Sequence, residues 1–197
     1  MTVPPRIVVG ISGASGVILG VRLLEILRRI GVESHLVISR AAEVTLAHET
    51  DLKPAQVRAL AAVNHAAADI GAAIASGSFR TMGMIVAPCS IRTMSEIASG
   101  VTSSLLTRAA DVMLKERRPL VLLVRETPLH LGHLRTMTQL AEMGAVVAPP
   151  VPAFYAKPQS LDDMVNHTVG RALDLFGLDA GIVNRWGEPG ATEPAEA

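Results

Sequence analysis

Apolar stretches at residues 7–9, 84–88, 120–124 and 146–147 punctuate this chain, and a further short strand, SHLVIS at 34–39, has Leu36, Val37 and Ile38 as its apolar centre. They are continuous and rich in Val, Ile and Leu rather than alternating with polar residues, which is the pattern of strands buried on both faces of a parallel sheet. Segments of helical period separate them. Residues 17–30 place Val17, Leu23, Leu24, Ile26, Leu27 and Ile30 on one side and Glu25, Arg28 and Arg29 on the other, an amphipathic helix. Further helices are predicted over 40–48, from Met94 onward, and over 105–115, 131–143 and 161–176, with Gly144 closing the fifth of these six. The alternation of strand and helix predicts an α/β fold, a doubly wound parallel sheet in a single domain. Residues 51–77 are alanine-rich and read as helical or irregular, with Pro54 marking a helix start and no chemistry legible. The tail 187–197 is polar and rich in Gly and Pro, so it is expected to be disordered, which leaves 1–186 as the domain.

Composition narrows the function classes. A chain of 197 residues suits one domain with a substantial core. Eighteen basic and eighteen acidic residues with no long basic run argue against nucleic acid or an anionic membrane surface as partner. Although 49% of residues are hydrophobic, no apolar run reaches the roughly 20 needed to span a bilayer. The aliphatic excess points instead to a core extended by subunit interfaces. Cys89 is the single cysteine, and the start MTVPPRIVVG lacks the charged and apolar regions of a signal peptide, so a cytoplasmic location is expected.

Between the first strand and its helix lies GISGASG, residues 10–16. Three glycines let the backbone approach an anion at a helix N-terminus, and the loop departs from the G-x-G-x-x-G dinucleotide fingerprint, favouring a mononucleotide phosphate over NAD. The alternative is a plain tight turn. The third strand ends in PCSIRT, residues 88–93; ligands of open parallel sheets bind beyond the carboxyl ends of strands, so the two hydroxyl-bearing loops should converge. Ser15 and Ser90 read as phosphate ligands or as helix N-caps. Arg108 and Lys115 share a helix face, Arg125 follows the fourth strand, and Tyr155 and Arg171 come later; four cations and a phenol suit a phosphate or pyrophosphate. Taken one at a time, Arg108, Lys115 and Arg171 read first as solvated helix faces paired with Asp111, Glu116 or Asp174. Glu49 and Glu126 could move a proton if desolvation raised their pKa, or could cap and face solvent. Cys89 reads as a small buried residue rather than a nucleophile. His130 and His133 are three apart with no matching ligand cluster, so no metal is expected. Four of the five aromatics, Phe154, Tyr155, Phe176 and Trp186, fall in the last quarter of the chain, where an aromatic face beside a phosphate could stabilise an allylic cation.

With these motifs in view the chain resembles the flavin prenyltransferases of the UbiX/Pad type. The marks are GISGASG at 10–16, LVIS at 36–39, ETD at 49–51, PCSIRT at 88–93, RAADVMLKERRPLVLLVRE at 108–126, PAFY at 152–155 and RWGE at 185–188. The resemblance implies a flavodoxin-like Rossmann fold, usually dodecameric, that joins a dimethylallyl group from dimethylallyl phosphate to reduced FMN and makes prenylated FMN for a separate UbiD-type decarboxylase. It implies FMN on Gly13, Ala14, Ser15, Ser39, Ser90, Ile91, Arg92, Thr93 and Arg125. It places the dimethylallyl phosphate on Arg108, Lys115, Arg125, Glu126, Tyr155 and Arg171, with neighbouring subunits completing each pocket and no metal. Glu49 with Ser15 would remove the proton at ring closure, Glu126 would act beside them, and Trp186 would support the allylic cation. Monophosphate and pyrophosphate donors both fit these cations. Rival readings are a non-catalytic flavin-binding partner subunit of a decarboxylase, a flavin-dependent cysteine-type decarboxylase, for which the PCSIRT loop is wrong, and an NAD-dependent oxidoreductase, for which the glycine spacing is wrong.

Overall fold

Strand β1 (Arg6–Ile11) lies near the middle of a six-stranded sheet in a computed structural model that describes residues 4–187. All ladders are parallel and the order is β3-β2-β1-β4-β5-β6, from β2 (Glu33–Ile38), β3 (Val63–His65), β4 (Gly83–Cys89), β5 (Leu120–Val124) and β6 (Val146–Val147). From β1 the chain steps outward to β2 and β3, then returns to the other side of β1 for β4, so the strand order reverses between β1 and β4. The loops leaving these two strands diverge onto opposite faces and open a crevice at the carboxyl edge.

The continuous apolar runs do what their composition requires. Ile7, Val9 and Ile11 face a core shared with helices α1 (Ile18–Arg29) and α7 (Leu161–Asp174), while Val8, Met84 and Val86 face one shared with α4 (Ile91–Ala98) and α5 (Leu105–Lys115). Period-two alternation thus sends apolar side chains to both layers. Two further helices, α2 (Arg40–Glu49) and α3 (Pro54–Arg58), follow β2, and α6 (Leu131–Glu142) connects β5 to β6. At Gly20 α1 lies tight against the sheet: a Cβ there would stand 2.4 Å from the Ala87 carbonyl oxygen and 2.7 Å from two Ile11 side-chain carbons.

Three elements differ from the sequence reading. The alanine-rich segment contains the edge strand β3, a three-residue ladder on β2 too short for its apolar period to stand out. Helix α4 begins at Ile91, not Met94, because the Ser90 hydroxyl accepts the Thr93 N–H at 3.3 Å and caps it. Ser15 does not cap α1; its cap position is Val17, with no side-chain cap. Residues 188–197, most of the expected disordered tail, and Glu188 of the RWGE motif lie outside the described residues.

Candidate active site

The crevice is built on one buried hydroxyl. Ser12, fully buried, donates to the Pro88 carbonyl at 3.0 Å and accepts the Ser90 N–H at 2.7 Å, so it ties the loop after β1 to the loop after β4. The Arg125 N–H donates to the Cys89 carbonyl at 3.0 Å, which fixes the end of β5 against the same loop. Ser39 caps α2 through the Ala42 N–H at 3.1 Å. Gly13, Ala14, Ser39, Ser90, Ile91, Arg92, Thr93 and Arg125 therefore all stand along the carboxyl edge of β1, β2, β4 and β5. The first-turn N–H groups of α4, at Ile91 and Arg92, have no acceptor within the helix.

Glu49, the last residue of α2, reaches across to α1. Its carboxylate accepts the Gly16 N–H at 2.9 and 3.1 Å and the Val17 N–H at 3.1 Å. The anion-binding end of α1 is thus filled by the protein's own carboxylate. Partial desolvation pushes the Glu49 pKa up, but the Ser15 hydroxyl, the two N–H groups and the Arg125 guanidinium outweigh it and hold the group below the ordinary carboxylate range. The condition set for Glu49 from the sequence, a carboxyl raised by desolvation, is not met: Glu49 is an ionised acceptor at neutral pH. Its contacts contribute stability above about pH 4.3, the unperturbed glutamate value, and lose it as pH falls through the lower folded-state value. On the account of Glu49 alone, denaturation midpoints should be flat from neutrality to about pH 5 and fall below that; for Glu49→Gln the acid slope should be shallower.

Ser15, Glu49 and Arg125 meet at a cleft of about 520 Å³, whose other walls are Gly16, Ile18, Leu19, Thr50, Pro150, Pro152, Leu161, Met164, Val165 and Thr168. Apolar walls with a few convergent polar groups are the composition of a small-molecule site, and the volume lies in its usual range. The sequence does not mark Pro150 and the α7 residues as cleft walls, since nothing local distinguishes a cleft wall from a packing face, and Thr50 figures there only as part of the ETD motif. Cys89 is fully buried and desolvation pushes its thiol up to about 12, so it is no nucleophile at neutral pH.

The remaining residues singled out in the sequence lie outside this cleft. Tyr155 packs edge-on to Trp186, with ring centroids 5.5 Å apart, and its hydroxyl is 3.2 Å from His167 Nε2. Arg185 holds this corner together through two 2.8 Å bonds to Asp174, and Arg171 pairs with the same carboxylate. These pairs, Arg185 foremost, keep Asp174 below its ordinary pKa despite opposing desolvation. Met164 borders both this corner and the Glu49 cleft. Arg108 donates to Asp111 at 2.7 Å and to the Ala75 carbonyl at 3.2 Å, and Lys115 pairs with Glu116. Lys115 ends α5 just before β5 begins, at the amino edge of the sheet and opposite the cleft. Within one chain the cations are therefore not one cluster, and the Asp111, Glu116 and Asp174 pairings of the solvated reading are all formed. Glu126 is exposed and accepts the Thr127 N–H at 2.9 Å. Among the described residues no group of three His, Cys, Asp or Glu side chains could hold a metal ion, and no helix is long and apolar enough to cross a membrane.

Comparison with known proteins agrees with this geometry. The Flavoprotein family model matches residues 1–173. The flavin prenyltransferase UbiX of Escherichia coli K12 is 62% identical over 184 residues, covering 92% of this chain and 97% of that protein. A crystal structure of AnUbiX in complex with FMN and dimethylallyl pyrophosphate is 53% identical with a TM-score of 0.92, covering 94% of this chain and 98% of that one. A dodecameric FMN-dependent UbiX-like decarboxylase from Escherichia coli O157:H7 is 49% identical with a TM-score of 0.90, covering 93% and 100%. With its glycine loop, its switch-point cleft and its sequence shared over nearly its whole length with such proteins, the chain belongs to the UbiX flavin prenyltransferases of the Flavoprotein family.

Proposed function

We propose that this protein transfers a dimethylallyl group from dimethylallyl phosphate to N5 and C6 of reduced FMN, without metal, and passes prenylated FMN to a UbiD-type decarboxylase. The observation that carries the reading is the meeting of Ser15, Glu49 and Arg125 on one apolar-walled cleft at the strand-order reversal. The residues present fit FMN: hydroxyls at Ser15, Ser39, Ser90 and Thr93, backbone N–H groups at Gly13, Ile91 and Arg92, and Arg125 suit its phosphate and polar ring edge, Ala14, whose N–H is held by the Ser12 carbonyl at 2.9 Å, presents its methyl, and the cleft walls suit its rings. Reduced FMN, when bound, supplies the electron-rich ring that takes the prenyl group.

The chain's own residues do the rest. Arg125 stands beside the ionised Glu49 in the same cleft, so one group draws off an anionic leaving group while the other accepts a proton, with Ser15 orienting it. Arg108, Lys115, Glu126, Tyr155 and Arg171 complete the phosphate site, and Trp186 faces the allylic cation. Because Lys115 lies at the opposite sheet edge, it and Arg108 serve the cleft of an adjoining copy. Exposed Val151, Phe154, Leu161 and Trp186, at 74, 74, 80 and 76% exposure, support burial in a homo-oligomer, a dodecamer, with cleft mouths at its interfaces. Fixed guanidinium and ammonium groups take the part Mg²⁺ plays at a pyrophosphate. We place the catalytic unit in residues 1–186 and the protein in the cytoplasm, where its lone thiol needs no partner.

The test is to mix protein, reduced FMN and dimethylallyl phosphate with and without a chelator and to weigh the flavin. A flavin heavier by one five-carbon unit, formed equally with chelator present, is expected. Unchanged FMN on assembled protein overturns the reading, and product lost only with chelator overturns its metal-free part. Running dimethylallyl pyrophosphate alongside identifies the donor.

A further inference from the structure

Tyr155 is the chain's one tyrosine, and its hydroxyl is already engaged. It lies 3.2 Å from Nε2 of His167, on α7, with the two rings 5.7 Å apart and nearly perpendicular at 81°. The Asn184 main chain acts on the His167 ring in the sense that favours its protonated form. In the neutral tautomer of His167 whose proton sits on the other ring nitrogen, Nε2 is an acceptor only. Tyr155 must then give its proton to His167, and its oxygen turns lone pairs, not a donor, toward an incoming anion. When His167 is protonated, Nε2–H donates to the phenol oxygen and the O–H is released to donate elsewhere.

We propose that His167 is the positioning residue of the phosphate site, its proton deciding whether Tyr155 donates to the imidazole or to the phosphate of the prenyl donor. The inference rests on the proposed function only in taking Tyr155 as a phosphate ligand. The groups around His167 make the switch responsive. Arg171 and Asp174 on α7 act on the ring in opposite senses. Tyr155, Lys157, Asp163 and Asn184 share its corner, Arg185 binds Asp174 from the C-terminal segment, and Arg22 reaches Asn166 and Asp162 from α1. Burial, and then Arg171, lower the His167 pKa, so the unliganded ring is mostly neutral at neutral pH. An arriving phosphate dianion offsets Arg171 and favours protonation, and binding therefore takes up a proton.

Isothermal titration of dimethylallyl phosphate into protein loaded with oxidised FMN, which binds without turnover, reads this directly when repeated in buffers of different ionisation enthalpy. The expected result is uptake of up to about one proton per site, with affinity falling up to about tenfold per pH unit above the His167 value. Phosphate's own titration is subtracted with His167→Gln, which keeps a hydrogen-bonding end but no titrating group. His167→Gln should show only phosphate's own proton balance; Tyr155→Phe, in which the phosphate still offsets Arg171 but no hydroxyl answers the ring's proton, should take up fewer protons than wild type, and the double variant should bind no worse than the weaker single one. Tyr155→Phe keeps the ring against Trp186 and reads the same coupling should the histidine variant fail to assemble. Equal proton uptake in wild type and either variant overturns the inference while leaving the prenyl-transfer reading intact; absence of any wild-type binding, together with no heavier flavin, overturns both.

Discussion

Glu49→Gln lowers the rate of prenylated-flavin formation by about 10²- to 10⁴-fold, the usual worth of a positioned proton acceptor, while FMN still binds. The separation of the two effects follows from where the carboxylate sits. One amide oxygen can still accept from Gly16 or Val17, where the carboxylate now accepts at 2.9 to 3.1 Å, so the glycine loop keeps most of its shape. The amide's NH₂ then points donor against donor, and the charge facing Arg125 is gone. Being held below the ordinary carboxylate range, Glu49 is a weak base, suited only to a strongly acidic proton but ionised throughout the neutral range. Product formation in the wild type should fall as pH drops through the Glu49 value and stay level above it on this group's account. Single-turnover mixing with mass detection checks the loss, and flavin absorbance on the bound protein checks retention. Turnover within about tenfold of wild type would remove Glu49 from the proton-transfer role.

How much of this was legible in the sequence depended on the range of the interaction. Strands β1, β2, β4 and β5 were plain because burial on both faces forces a continuous apolar run, and α1 was plain because one face is wet. The edge strand β3 was not, since Val63, Asn64 and His65 carry no run and gain their ladder only from β2. Convergence of the β1 and β4 loops was predictable from topology, yet Ser12, the residue that bolts them together, looked like any loop serine until its burial and its partners Pro88 and Ser90 were known. Glu49 was recognised as a carboxylate of interest, but the sign of its pKa shift depends on N–H groups more than thirty residues away. The cations show the opposite failing of sequence reasoning. Arg108 and Lys115 share a helix face as their spacing requires, yet α5 carries Lys115 to the wrong edge of the sheet for its own cleft, which a spacing rule cannot reveal.

Gly20→Ala is expected to destabilise the fold by about 3 kcal/mol, the upper range for an added methyl in a closed core, and to weaken FMN binding with it. Helix propensity alone argues the reverse, since Ala in a helix interior gains about 1 kcal/mol over Gly. The sign of the measured change therefore decides between intrinsic preference and packing. Packing should win because the atom 2.4 Å from the new Cβ is the Ala87 carbonyl oxygen, part of the β4 backbone, with Ile11 carbons at 2.7 Å behind it. Neither can swing aside as a surface side chain would. Either α1 lifts from the sheet, opening the core around Leu23, Leu24 and Leu27, or β4 shifts at Ala87. A shift at Ala87 carries Pro88 with it and disturbs both Ser12 bonds that join the two site loops. Chemical denaturation with the m-value held as a check on compactness, alongside FMN titration, measures both consequences. A variant as stable as wild type, or more so, would mean that α1 and β4 are not in the tight contact on which the shape of the crevice depends.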